Sequence, residues 1–88
     1  MPDGGPFRYR RDVLDIVWRH GIMPTEQTPP ELARGYVRDL YKYEIRRLRE
    51  RYLKKEFSKE RYSLLVEALR NQYAVLALVP RQWLETGQ

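Results

Sequence analysis

The chain is expected to be all-α: a three-helix domain built on a long antiparallel helical hairpin, about residues 29–55 and 59–77, with a short N-terminal helix at about 10–20. Three observations carry this expectation. Thr28-Pro29-Pro30-Glu31 is a full helix start signal, and no proline follows it until Pro80. From Tyr62 to Leu76, apolar side chains recur at spacings of three and four. Gly21 follows Arg19 and His20 as the glycine that commonly ends a helix.

The elements follow in chain order. Residues 1–9 are expected to form a mobile arm, because Met1–Pro6 carries two Pro and two Gly. Residues 10–88 then make one helical domain. Val13, Leu14, Ile16, Val17 and Trp18 cluster on the first helix, which stops at Gly21. In the second helix Thr28 is the expected cap, Pro29 takes the first helical position and Glu31 closes a capping box. That helix runs to about Lys55, roughly 40 Å at 1.5 Å per residue. A globule of 88 residues has a radius of gyration of about 12 Å. Either the helix projects or a second copy of the chain covers it.

The apolar residues of the second helix divide into two flanks. Leu32, Tyr36, Leu40 and Tyr43 form one, expected under the first helix; Val37, Tyr41, Ile45, Leu48 and Tyr52 form the other, expected under the third. Tyr41, Ile45 and Tyr52 are candidates to remain exposed beside one helix, so a homo-oligomer is expected. Phe57-Ser58 opens the third helix, with Ser58 as cap and Phe57 stapled to Tyr62. Ala74–Val79 reads as either helix or extended tail, and a final turn at Gln82–Leu84 would return Trp83 to the core.

Composition bounds the function. A chain that is 42% hydrophobic and 33% charged is too apolar for disorder and holds no run near the roughly 18 apolar residues of a membrane span. It has no Cys, which removes disulfides, thiolate metal sites and Cys nucleophiles. The first residues lack an apolar signal core, so a cytoplasmic protein with no membrane association is expected. No cofactor is implied, and no enzyme: there is no Gly-rich phosphate loop, and Ser58 and Ser63 have no matching His–Asp arrangement. Asp12 and Asp15, at i and i+3, could contribute two oxygens, but nothing nearby completes a metal site. His20, the sole His, is expected to cap its helix through the dipole.

The charge is local. Residues 41–61 hold nine Lys/Arg against four Asp/Glu, which accounts for the whole net charge of +5. Arg38, Lys42, Arg46 and Arg49 fall at spacings of four, four and three, a like-charged row that an anion would relieve. With Tyr52 they are the candidate partner-binding residues. The expected function is a small non-enzymatic interaction protein docking an acidic protein surface on this face. Binding to nucleic-acid phosphate through the same residues is the alternative, with Tyr52 and Tyr41 stacking on bases. A solvated charged face, with no ligand, is the reading both must exceed. A helix-turn-helix fits poorly, since periodicity runs unbroken past Gly35. Phe7, Arg8, Tyr9, Arg10 and Arg11 also suit a minor-groove arm. Glu44 lies between the apolar flanks and is expected to form a buried ion pair with Arg51 or Arg70, or to meet Arg47 one turn on.

Overall fold

A computed structural model describes residues 6–85 and shows three α-helices: α1 (Arg11–Arg19), α2 (Pro30–Leu53) and α3 (Lys59–Gln72). Two short 3₁₀ turns, Ala74–Ala77 and Pro80–Trp83, follow. Among the described residues there is no strand, only an isolated antiparallel bridge between Tyr9 and Leu84. The all-α expectation holds; several boundaries differ for local reasons.

α2 begins one residue later than the capping box required. A residue before proline is driven out of the helical region, and Pro29 precedes Pro30, so Pro29 is extended at φ −61°, ψ 140° and Pro30 takes the first helical position. Thr28 therefore caps nothing. Its hydroxyl accepts from the Thr25 amide at 3.0 Å, and its carbonyl accepts from the Tyr9 hydroxyl at 2.5 Å.

Both α1 and α2 close on the same C-terminal motif. Ile22 and Gly21 amides donate to Val17 and Trp18 carbonyls, with Gly21 at φ 81°. Glu56 and Lys55 amides donate to Arg51 and Tyr52 carbonyls, and here the left-handed residue is Lys55 at φ 63°. That turn ends α2 at Leu53 rather than Lys55. Ser58 then starts α3, its hydroxyl accepting from the Arg61 amide at 3.1 Å.

α3 stops at Gln72, not residue 77. Beyond Tyr73 the chain folds back over α2, where the half-buried Arg34 donates from Nε to the Leu78 carbonyl (2.9 Å) and from Nη2 to the Leu76 carbonyl (2.6 Å). Carbonyls that a longer helix would satisfy internally are held by this guanidinium. Trp83 returns to the core and is fully buried with Val13, Val17 and Val37.

The segment expected as a mobile arm is partly anchored. Residues 1–5 lie outside the described region. Tyr9, however, is buried, the Phe7 amide donates to the Glu26 carbonyl (2.7 Å), and Arg10 donates from its amide to the Trp83 carbonyl and from Nη1 to the Gln82 carbonyl, both at 2.9 Å. Apolar burial explains this: Phe7 and Tyr9 alternate with arginines, and the aromatic positions face the core.

α2 and α3 run antiparallel side by side: Tyr52 stacks on Tyr62 near one end, and Tyr41 meets Tyr73 near the other. The molecule extends 53 × 18 × 17 Å, with a radius of gyration of 15.8 Å, because the end of α2 projects with α3 instead of being folded into a globule. α1 does not cover the flank assigned to it. Leu32, Tyr36 and Tyr43 are exposed, whereas Tyr41, Ile45 and Tyr52 are half-buried, the reverse of the expected exposure. α1 instead packs Val13 and Val17 into the cluster that contains Val37 and Trp83.

Two predictions follow from this core. Trp83→Ala is expected to cost about 3–5 kcal/mol, as other large-to-small changes at full burial do. The same change at the 42% exposed Trp18 is expected to cost no more than about 1 kcal/mol. Urea midpoints of the two variants check the contrast. Burial, with a smaller push from Glu31, raises the Tyr9 hydroxyl from the ordinary 10.0 to about 12. A raised folded value stabilises the fold below pH 10, and that contribution is lost as pH rises from 10 to 12. An alkaline phenol titration is expected to show Tyr9 ionising near pH 12 or with unfolding, and Tyr9→Phe is expected to flatten the stability loss over that window.

Candidate functional site

The basic row is a product of helix geometry. At 100° per residue, Arg38, Lys42, Arg46 and Arg49 fall within a sector of about 80° on α2, directed away from the Val37 stripe that enters the core. All four are exposed, and among the described residues none forms an ion pair or hydrogen bond. Asp39 and Glu50, also exposed, border the sector without closing on it. The row spans about 16 Å along the helix.

Several bases elsewhere are engaged. Arg10 binds Asp12 through Nη2 (2.6 Å) and Nε (3.1 Å), and this hydrogen bonding holds the Asp12 carboxyl below its usual range and the guanidinium above its own. Arg11 sits 3.4 Å from Asp15 and over the Trp18 ring. Arg51 donates to Glu56 at 2.9 Å and lies over the Phe57 ring. Arg47 covers the Tyr43 ring, 5.8 Å from its centroid. The expected minor-groove arm is thereby corrected: Arg10 and Arg11 are paired and Tyr9 is internal, so these residues do not present a projecting cationic arm.

Tyr52, a candidate partner-binding residue, lies in an internal ring cluster. It is half-buried, stacked at 4.3 Å and 15° on Tyr62 and at 6.5 Å on Phe57. The staple expected between Phe57 and Tyr62 is present at 6.3 Å, and Tyr52 makes it a three-ring cluster at the hairpin tip. Tyr41 is likewise occupied, tilted against Tyr73 at 5.2 Å.

Glu44 forms no buried ion pair. Its residue is exposed, its carboxylate accepts from the Tyr73 hydroxyl, and neither Arg51 nor Arg70 pairs with it. The reason is competition: Glu56 in the turn offers Arg51 a carboxylate, and Tyr73 brings Glu44 a neutral donor. The Tyr73 hydroxyl is raised well above its ordinary value, first by burial and then by Glu44. His20 reaches the same place. Its ring stacks on Tyr73 at 4.1 Å, and Nε2 donates to the Gln72 carbonyl at 3.0 Å, so it ties the end of α1 to the end of α3.

On the flank of α2 nearly opposite the basic row lies a groove of about 520 Å³ between α2 and α3, floored by Leu40, Leu48, Leu65 and Leu69 and edged by Arg47 and Gln72. Sequence reasoning passed over it. The stripe was visible as spacing, but that Tyr43 is 55% exposed and Leu64 is 64% exposed depends on where α1 packs. No group of three or more His, Cys, Asp or Glu among the described residues is placed to hold a metal ion, and no helix there is long and apolar enough to cross a membrane.

The Glu44 contact gives a direct test. Tyr73→Phe is expected to cost about 1–2 kcal/mol, since a hydrogen bond to a charged group is lost. Arg70→Met is expected to stay within about 0.5 kcal/mol and Arg51→Met within about 1 kcal/mol, because the Arg51 pair is exposed. A double-mutant cycle of Tyr73→Phe with Glu44→Gln, read from chemical denaturation, checks that the coupling belongs to this pair. Comparison of the chain with protein-family models, with curated proteins and with solved structures found no match, so the functional reading rests on these residues.

Proposed function

We propose that the chain is a non-enzymatic helical interaction protein that docks an acidic protein surface on Arg38, Lys42, Arg46 and Arg49 of α2. The observation that supports this reading is that four unpaired bases fall side by side on one exposed face of α2. Arg10, Arg11 and Arg51 have carboxylate partners and Arg34 has carbonyls, while the four residues of the row remain exposed and unpaired side by side. Like charges at i,i+4 repel by a few tenths of a kcal/mol per pair, and carboxylates of a partner convert that repulsion into attraction. The engagement of Tyr52 and Tyr41 in internal stacks favours a protein partner over single-stranded nucleic acid, whose capture relies on free aromatic faces.

The test uses defined probes. An acidic, Glu-rich peptide and a nucleic-acid duplex are titrated against the folded protein across a salt series. Wild type is expected to bind the peptide at moderate salt, and the double variant Lys42→Glu/Arg46→Glu is expected to lose that binding while stability changes by no more than about 0.5 kcal/mol per site. Duplex binding that exceeds peptide binding, with a log–log salt slope near −0.9 per phosphate contact, would transfer the row to phosphate recognition. Peptide binding unchanged in the folded double variant would leave the row a solvated face.

A further inference from the structure

The part of α2 beyond Val37 contributes no fully buried residue, and α3 contributes only Leu69. Two helices side by side give each apolar stripe one neighbour, so a third layer is needed to close a core. The chain supplies that layer only where α1 and the 3₁₀ turns pack. Further out, the 520 Å³ groove between α2 and α3 stays open.

We propose that this groove is the docking site of a second copy of the chain, laid antiparallel about a two-fold axis that lies between the copies, over the groove and level with the Ile45–Arg46 step of α2. The argument is chemical self-complementarity. On the α2 side the groove is lined by Leu40, Tyr43, Glu44, Arg47, Leu48 and Arg51. Reversing this stripe on itself sets Glu44 against the partner's Arg47, Tyr43 against the partner's Leu48, and Leu40 against the aliphatic stem of the partner's Arg51. Any helical stripe is symmetric in spacing; this one also matches opposite charge to opposite charge and apolar to apolar, as an isologous interface requires. A different axis loses the match. Centred on Arg47, it would set that guanidinium against its own copy; centred on Glu44, it would oppose two carboxylates.

The α3 side agrees. The contacts of Tyr41 with Tyr73 and of Tyr52 with Tyr62 fix the register, which puts the Ala68–Leu69 step level with Ile45–Arg46. The small side chain of Ala68 then lies beside the axis, where two helices approach most closely, and Leu65 meets the partner's Gln72. Among the described residues Arg47 has no ion pair and is held only over the Tyr43 ring, so it is available to the partner's Glu44. The basic rows, on the far flank of α2, face outward from both copies. The dimer therefore stands independently of what those rows bind.

Sedimentation equilibrium across a wide concentration range tests this. Wild type is expected to reach twice the 10.7 kDa of one chain. Arg47→Glu, which leaves the Tyr73–Glu44 hydrogen bond in place, sets Glu against Glu twice across the axis and is expected to raise the dissociation constant at least about tenfold. That loss is expected to reverse in about 1 M salt, where screening acts within about 3 Å. Mixing Arg47→Glu with Glu44→Lys chains is expected to restore the dimer, since each then opposes the other's charge; if Glu44→Lys does not fold, the salt reversal alone decides. A wild-type mass that stays at one chain, or exceeds two, overturns the proposal. So does a dimer that Arg47→Glu leaves unchanged, or one lost in that variant without recovery in salt. Lys42→Glu/Arg46→Glu is expected to remain dimeric, so failure of the dimer and failure of the acidic-surface reading are read separately.

Discussion

Trp83 is brought to the centre of the molecule by the last described turn, and nearly every contact at that end exists to keep it there. Val13 and Val17 from α1 and Val37 from α2 belong to its cluster; Arg10 holds the Trp83 and Gln82 carbonyls; the Glu85 amide donates to the Arg8 carbonyl. The indole Nε1 is buried without an acceptor among the described residues. That omission costs about 1–3 kcal/mol. Burying an aromatic of this size removes about 150–250 Å² from water, near 4–6 kcal/mol at 25 cal/mol per Å², so burial wins. The price is a fixed path for the tail, which Arg34 secures from below.

Since the core is assembled at one end, the other end of the molecule is held by different means. The hairpin tip relies on three stacked rings, a Schellman turn through Lys55 and the Ser58 cap, all of them local in sequence. Between tip and core, α2 carries its unpaired row on one flank and its apolar groove on the other. The two surfaces do not compete for residues. With a charged face and an apolar face on opposite sides of one helix, the proposed recognition and the proposed assembly would not exclude each other.

The parts of the fold that were legible in the sequence are those set by neighbouring residues. Gly21 as a terminator, Ser58 as a cap and the Phe57–Tyr62 staple need only a few residues of context, and the structure places each as expected. The start of α2 was misplaced by one residue because two adjacent prolines constrain each other more strongly than Thr28 caps. The end of α3 was not legible, because Arg34, over forty residues away, decides which carbonyls leave the helix. The exposure of the Arg38–Arg49 row followed from spacing alone. Glu44 was misjudged because several arginines lay within reach by spacing, and only the packing of α3 brought the Tyr73 hydroxyl to it.

The bridge between Tyr9 and Leu84 and the pairing of Arg10 with Gln82 join points 75 and 72 residues apart, almost the whole described chain. Drawing such distant points together costs about 4 kcal/mol of chain entropy, against much less for the short connection between α2 and α3. Contacts that close so large a loop are profitable only after the intervening helices have formed and shortened it. The hairpin is therefore the natural early structure of the folding chain and the joined ends its late one, which makes seating of Trp83 the event that separates a pair of helices from a finished domain.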